Sequence, residues 1–206
     1  MPEKHDEYEI DMLGNPTLFE PQLKHYKQTI QISLDHFYIT GTIENNVDKY
    51  IDLIHLLKTA EPHDKIYIYL NTPGGNLSTT IQICSAIGAS AGEVITVIEG
   101  EVCSAGTFIF LAGDNYIVRP NCSFMIHNCS HGTFGKGREV RNQVDFTDRY
   151  FNELANSFYK DFLTDEEIQL VCDDSDFWMT SNDVLERLGA RVVDEVLCSD
   201  PTNDKV

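Results

Sequence analysis

A serine and a histidine occur in this chain where their side chains could act together in nucleophilic catalysis. Ser104 lies in the stretch GEVCSAGTF, between a strand-like run and the start of an apolar helix. His127 ends the apolar run SFMIHN, which is also typical of a strand. A serine nucleophile needs a base, a carboxylate that orients the base, and amide groups that bind the developing oxyanion. Ser104 and His127 are candidates for the nucleophile and the base.

Residue types alone leave the orienting carboxylate open. Asp176 is a candidate in the stretch DDSDFWMTS, and Asp173 and Asp174 compete with it. The oxyanion amides would come from the glycines at 74–75, in a Pro-Gly-Gly turn that frees the backbone, and from Ala105. Together these groups would complete a serine hydrolase site.

Two other interpretations of the serine stretch stay open at this point. Serine is a common helix N-cap, so Ser104 could simply begin a helix. Cys103 is a rival nucleophile, although a strand-to-helix turn exposes one side chain at its apex and neighbours would not both face the base. Small-residue packing in the core would account for either residue.

Strand-like and helical patterns alternate along the chain. HFYITGTI, DKIYIYLNT and EVITVIEG read as strands, and the segments between them carry apolar residues at helical spacing. This alternation predicts an α/β fold with a mostly parallel sheet. Functional groups of such folds gather at the carboxyl ends of the strands, and the Pro-Gly-Gly turn, Ser104 and His127 all lie at such ends.

A long helical pattern follows the glycine-rich stretch SHGTFGKG. Steps of three, four and seven residues place one apolar stripe on this helix, formed by Val140, Val144, Phe151, Leu154, Phe158 and Phe162. The stripe could dock against another subunit or pack on its own domain, and the pattern favours neither.

Composition excludes several classes of function. The formal net charge is −18, and residues 161–206 contribute −10 of it, so a nucleic-acid partner is not expected. The sequence contains no apolar run of about 18 residues, so a membrane span is not expected. The six cysteines lack zinc-type spacing, and His127 and His131, four residues apart, lack the context of a metal motif, so no metal is expected.

Four ordered motifs resemble those of one known family. YIYLNTPGG, GEVCSAGTFIFLAG, PNCSFMIHN and DFWMTS are similar to the successive motifs of the proteolytic subunit of the Clp protease. Related patterning extends from about Phe37 to Val196. Because four motifs occur in the family's order, the resemblance is far more specific than any single short pattern.

The resemblance implies a serine endopeptidase with Ser104 as nucleophile, His127 as general acid and base, and Asp176 as the orienting carboxylate. It also implies two sets of backbone contacts. The oxyanion hole would use Gly75 and Ala105, and an extended substrate strand would be flanked by Gly74, Asn76, Leu77 and Asn128.

The family fold is similar to that of crotonases, with repeated β-β-α units and a protruding strand-helix handle, here expected at about 130–163. The implied organisation is an N-terminal segment 1–28, flexible or axial, one peptidase domain 29–198 and a tail 199–206. Family members stack two seven-membered rings and receive unfolded polypeptides from a partner AAA+ unfoldase. No cofactor is expected, because the unfoldase consumes the ATP, and a cytoplasmic or similarly reducing location is expected.

Two alternative functions come with the same fold. A non-catalytic ring subunit would lack a complete triad, whereas serine, histidine and aspartate are all present here. A crotonase-like enzyme acting on an acyl-CoA thioester would leave that triad unexplained. The residue after Asp176 is Phe177, where family members that couple ring pairing to the active site often carry arginine, so this coupling is not expected here.

Overall fold

The computed structural model describes residues 8–10, 16–18 and 32–192. The chain divides into two units, 1–31 and 32–206. In the first unit, β1 (Tyr8–Ile10) pairs antiparallel with β2 (Pro16–Leu18). This strand pair lies within the N-terminal segment predicted at 1–28, and a flexible or axial role for that segment stays a prediction. The predicted tail 199–206 lies outside the described residues.

The second unit alternates strands and helices through most of its length. Its strands are β3 (Leu34–Thr40), β4 (Lys65–Thr72), β5 (Glu93–Cys103), β6 (Asn115–Val118), β7 (Ser123–Ile126) and β8 (Phe177–Thr180). Its α-helices are α1 (Ile51–Thr59), α2 (Leu77–Gly88), α3 (Ala105–Leu111), α4 (Gly137–Phe158), α5 (Asp165–Cys172) and α6 (Ser181–Leu188). Short 3₁₀ helices span Val47–Tyr50 and Gly189–Arg191.

Six strands form one sheet in the order β3-β4-β5-β7-β8, and β6 also pairs with β5. All pairings are parallel except that of β7 with β8. The long strand β5 serves two partners, because residues 95–98 pair with β6 and residues 101–103 pair with β7. The predicted α/β class with a mostly parallel sheet is therefore confirmed.

The central strands are apolar on both faces because both faces are covered. Residues 66–70 of β4 and 94–98 of β5 are all buried, as expected for parallel strands inside an α/β layer. The main core also includes the inward faces of α1, α2 and α3 and the C-terminal half of α4. This core fixes the ends of β4, β5 and β7, which carry the candidate site.

The two halves of the long helix α4 correspond to the two interpretations of its apolar stripe. In its C-terminal half, Phe151 and Ala155 are buried in the chain's own core, and Leu154 and Phe158 pack against it. In residues 137–150 no residue is fully buried. Only the N-terminal half of the stripe, with Val140 and Val144, is therefore free to meet another subunit.

The handle was expected to contain a strand and a helix. The described residues contain no strand at its start, so that part of the prediction is wrong. Residues 127–136 form no β-strand. A strand needs a hydrogen-bonded partner, and glycines such as Gly132 and Gly135 do not favour an extended segment without one. The helix of the handle is present as α4.

Among the described residues, no helix is long and apolar enough to cross a membrane. The longest helix, α4, has 22 residues but carries charged side chains along most of its surface.

Candidate active site

Ser104 and His127 follow directly after neighbouring parallel strands. Ser104 comes after the last residue of β5, and His127 comes after the last residue of β7. The Ser104 amide donates a hydrogen bond to the Met125 carbonyl at 2.8 Å, which continues the β5–β7 ladder. The sheet therefore brings the candidate nucleophile and base to the same edge, as the sequence predicts.

A cleft of about 530 Å³ opens at this edge of the sheet. Of the nine candidate site residues, six line it: Gly75, Asn76, Leu77, Ser104, Ala105 and His127. The remaining three are not among its lining residues in the described part of the chain: Gly74, Asn128 and Asp176.

Ser104 has a backbone conformation that explains its exposure to the cleft. Its φ of 54° and ψ of −126° are rare for a residue with a side chain. Although Ser104 occupies the N-cap position of α3, its hydroxyl makes no capping hydrogen bond. The capping interpretation is therefore wrong, and the sharp strand-to-helix turn resembles the strained turns that present nucleophiles.

Cys103 cannot compete with Ser104 as the nucleophile in this arrangement. It is the last residue of β5, and only 4% of it is exposed. Burial raises the pKa of its thiol, and the nearby Glu101 carboxylate adds to this effect. A protonated, buried thiol is a packing group, because nucleophilic cysteines are partly exposed thiolates.

The Pro-Gly-Gly turn packs directly against the Ser104 turn. A Cβ placed on Gly74 would lie 2.8 Å from the Ser104 Cβ and 3.0 Å from the Ala105 nitrogen. Gly75 has a φ of +147°, and a Cβ there would lie 2.2 Å from the Ile43 carbonyl oxygen. Both positions therefore require glycine, and the close approach brings the Gly75 region beside the Ala105 amide.

The N–H groups of Gly75 and Ala105 are the candidate donors to an oxyanion. Ile43 pairs with the neighbours of Gly75, since its amide bonds the Gly74 carbonyl at 2.8 Å and its carbonyl accepts from Asn76 at 2.8 Å. The Gly75 N–H takes no part in this pairing. Ala105 is the first residue of α3, so its N–H has no acceptor within the helix.

Strand register distinguishes Asp176 from its two competitors. The β7–β8 ladder ends with Ile126 opposite Phe177, and His127 and Asp176 are the residues next to that last pair. Asp173 and Asp174 lie four and three residues before Phe177 and are further from the ladder along the chain. Asp173 accepts a hydrogen bond from Gln169 at 3.1 Å, and Asp174 accepts one from Asn128 at 2.8 Å, so both carboxylates have other partners.

The three candidate side chains do not form a hydrogen-bonded chain here. Within residues 32–192, no hydrogen bond joins Ser104 to His127 or His127 to Asp176. Hydrogen bonds of catalytic groups are often long in the absence of substrate and tighten in the complex. The backbone brings Ser104 and His127 to one cleft, and Asp176 is not among the residues that line it.

Asn76 and Leu77, which were predicted to flank a substrate strand, lie where α2 begins. The Asn76 amide bonds Ile43, and its side chain caps α2 by accepting from the Thr79 amide at 2.9 Å. Leu77 is the first residue of α2 and not part of an extended segment. Both residues line the cleft. The Leu77 N–H has no acceptor within α2, and pairing of this segment with a substrate strand stays a prediction.

Asn128 has a different place from the one expected for a substrate contact. Its side-chain amide donates to the Cys172 carbonyl at 3.2 Å and to Asp174 at 2.8 Å. Asn128 thus ties the segment after His127 to the turn that carries Asp176. Pairing of its backbone with a substrate stays a prediction.

Several cleft residues escaped the sequence reasoning. They are Phe108 on α3, Met125 on β7, Cys129 and His131 after β7, and Thr147 and Phe151 on α4. The apolar members make a pocket wall beside the serine, and the stripe of α4 was the signal that pointed to Phe151. His127 and His131 line the same cleft, but the described residues contain no group of three metal-ligating side chains.

Comparison with known proteins relates most of the chain to one family. The profile of the Clp protease family matches residues 24–199. The chain is 28% identical over 159 residues to the ATP-dependent Clp protease proteolytic subunit 2 of Pseudomonas aeruginosa, covering 72% of this chain and 75% of that protein. It is 30% identical over 156 residues to the corresponding subunit of Streptococcus thermophilus, covering 72% and 78%. For that of Streptococcus pneumoniae, the identity is 26% over 172 residues, covering 80% and 85%.

Proposed function

Since the chain belongs to the Clp protease family, we propose that it is the serine endopeptidase subunit of a compartmentalised, ATP-dependent protease. Ser104 is the nucleophile, His127 the general acid and base, and Asp176 the carboxylate that orients His127. The observation that carries this proposal is the strained Ser104 turn, whose hydroxyl is free of capping and shares a cleft with His127.

In the proposed reaction the Ser104 Oγ attacks the carbonyl carbon of a peptide bond while His127 takes its proton. The negative oxygen that develops is stabilised by the N–H groups of Gly75 and Ala105. His127 then gives its proton to the leaving amine, and an acyl-enzyme ester remains on Ser104. Water, activated by His127, hydrolyses this ester and regenerates the serine.

Asp176 acts on this reaction through His127. Its carboxylate accepts the second ring N–H, which fixes the tautomer of the imidazole and stabilises the imidazolium that forms. The antiparallel pairing of β7 with β8 supports this role, because His127 and Asp176 are the residues next to its last pair, Ile126 and Phe177. Closure of the side chains is needed to complete the triad.

The proposed assembly is two stacked seven-membered rings of identical chains, with a partner AAA+ unfoldase that hydrolyses ATP and supplies unfolded polypeptide. The relatives are named as proteolytic subunits of an ATP-dependent protease, which supports a separate ATPase partner. Exposed apolar side chains on and before the N-terminal half of α4, including Phe134 and Phe146, support contact with further subunits. We propose that this assembly is located in the cytoplasm.

Hydrolysis of a fluorogenic peptide by three purified chains tests the function. Wild type and Cys103→Ala are expected to cleave the peptide, because Cys103 only packs behind the site. Ser104→Ala is expected to lose on the order of 10⁴- to 10⁶-fold in turnover. Retained cleavage by Ser104→Ala, or loss only in Cys103→Ala, would contradict the proposal.

A further inference from the structure

A buried hydroxyl group lies directly behind the Ser104 turn. Thr107, one turn into α3, is fully buried. Its amide donates to the Ser104 carbonyl at 3.0 Å, and its Oγ1 donates to the same carbonyl at 2.7 Å. The Ser104 carbonyl therefore accepts two hydrogen bonds from one residue.

A second buried hydroxyl supports the first. Tyr159, at the C-terminal end of α4, is fully buried, and its phenol oxygen lies 2.8 Å from the Thr107 Oγ1. The Tyr159 ring stacks on Phe108, the neighbour of Thr107, with centroids 5.0 Å apart and planes at 15°. The aromatic contact thus holds the phenol in place beside Thr107.

The direction of this hydrogen-bond chain follows from counting hydrogens. A threonine hydroxyl has one hydrogen, and Thr107 gives it to the Ser104 carbonyl, which can only accept. The contact with Tyr159 must then run from the phenol O–H to the Thr107 oxygen. Burial raises the pKa of Tyr159, so the phenol keeps its hydrogen.

This chain of hydrogen bonds ends at Ser104, whose backbone conformation is strained. Ser104 has a positive φ although it carries a side chain, and such a conformation persists only when surrounding contacts hold it. Rotation of the Ser104 ψ angle to a more ordinary value would turn its carbonyl away from both Thr107 donors. The hydrogen bonds to that carbonyl therefore oppose relaxation of the turn.

We propose that Thr107 and Tyr159 are positioning residues, whose hydroxyl chain holds Ser104 in its strained conformation and so sets the orientation of the nucleophile. The inference rests on the proposed function of Ser104. Since Tyr159 is the C-cap that directly follows α4, the two hydroxyl groups also couple the placement of that helix to the nucleophile.

The variants Thr107→Val and Tyr159→Phe test the inference, because each removes a hydroxyl and keeps nearly the same shape. Thr96→Val is the matched control. Thr96 is also fully buried, and its Oγ1 donates at 2.8 Å to the Phe110 carbonyl, near the other end of α3. Thr96→Val therefore loses an equivalent hydrogen bond to a carbonyl of α3, but Thr96 makes no hydrogen bond to Ser104.

The readouts are kcat and KM for a fluorogenic peptide, the rate of labelling by a fluorophosphonate, and the melting temperature. We expect Thr107→Val to lower kcat and the labelling rate about 10- to 100-fold, with KM little changed, and Tyr159→Phe to lower them by a smaller factor. The double variant should match Thr107→Val, because both hydroxyls act through one carbonyl. Thr96→Val should lower the melting temperature similarly while changing kcat less than about twofold.

Thr107→Ser separates positioning from a fold defect, because it keeps the hydroxyl and should recover most of the rate lost in Thr107→Val. The inference is overturned if Thr107→Val keeps the wild-type kcat and labelling rate, if Thr96→Val loses as much rate, or if Thr107→Ser is as slow as Thr107→Val. These outcomes are distinct from failure of the proposed function, in which wild type itself is neither labelled at Ser104 nor able to cleave the peptide.

Discussion

Ser104 shows how one residue's role follows from its local conformation. Its type alone is compatible with a helix cap, a core filler or a nucleophile. The positive φ and the absence of a capping bond remove the first interpretation, and the burial of Cys103 removes the rival thiol. At the scale of residues, the candidate site depends on the strained turn at Ser104. It also depends on Gly74 and Gly75, which let the Pro-Gly-Gly turn pack closely against the neighbouring backbone.

Gly75→Ala tests the close approach at the Pro-Gly-Gly turn. An added Cβ would meet the Ile43 carbonyl at 2.2 Å, so the turn must shift and displace the proposed oxyanion donor. We expect kcat for peptide hydrolysis to fall on the order of 10²- to 10³-fold. Gly88→Ala is the control, because nothing lies within 4 Å of a Cβ at Gly88, and its activity should equal that of wild type. Equal activities of the two variants would contradict the role of Gly75.

At the scale of elements, the end of the β7–β8 ladder carries the proposed base and the proposed carboxylate. His127 follows and Asp176 precedes its last pair, Ile126 and Phe177. We expect Asp176→Asn to lower kcat by about 10⁴-fold, as loss of the orienting carboxylate does in serine proteases. Asp173→Asn serves as the control, because Asp173 is bonded to Gln169, and peptide assays of both variants should show loss only in the first. Loss of activity in Asp173→Asn alone would contradict the assignment of Asp176 as the orienting carboxylate.

The helices α5 and α6 are joined by an ion pair with a predictable pH dependence. Arg187 donates two hydrogen bonds to Glu167, at 2.7 and 2.9 Å, and these lower the pKa of the Glu167 carboxyl to about 2. Because the folded-state pKa is lowered, the stabilisation is present above the ordinary glutamate pKa and is lost as pH falls towards 2.

Urea unfolding of Glu167→Gln across a pH series checks this expectation. At neutral pH the free energy of unfolding should fall by about 1–3 kcal/mol relative to wild type, and the difference should vanish near pH 2. Glu166→Gln, an exposed neighbour on the same helix, should show little change at any pH. A difference between Glu167→Gln and wild type that grew on acidification would have the wrong sign for this ion pair.

The elements also show what the sequence could predict. Alternating strand and helix patterns are set locally, so the α/β class and the strand ends carrying Ser104 and His127 were predicted correctly. The handle strand was not, since a strand depends on a partner that one chain does not supply. The side-chain bonds of Asn128 to Cys172 and Asp174 join residues 44 and 46 positions apart, and no local pattern reports them.

At the scale of the whole molecule, α4 joins the core to the surface proposed for assembly. Its C-terminal half is fixed by Phe151, which packs edge-on against Phe108. Its N-terminal half exposes Phe146, which stacks on Tyr150 and is 57% exposed. A charge in the two halves should therefore have different consequences.

Phe146→Glu is expected to lower the particle mass measured by sedimentation while leaving the melting temperature of the chain nearly unchanged. Phe151→Glu is expected to destabilise the fold, because it places a charge in the core. Leu170→Glu, an exposed apolar position on α5, is the control for a surface charge outside the handle. Wild-type mass in Phe146→Glu would contradict a subunit contact through the exposed half of α4.

The most direct measurement of the central claim is the site of covalent labelling by a fluorophosphonate, mapped by mass spectrometry of the digested protein. The account predicts one adduct, on Ser104, that is absent from Ser104→Ala and unchanged in Cys103→Ala. It also predicts slower labelling in Asp176→Asn, because the base would lose its orienting partner. No adduct on wild type, or the same adduct pattern in Ser104→Ala, would contradict the assignment of Ser104 as the nucleophile.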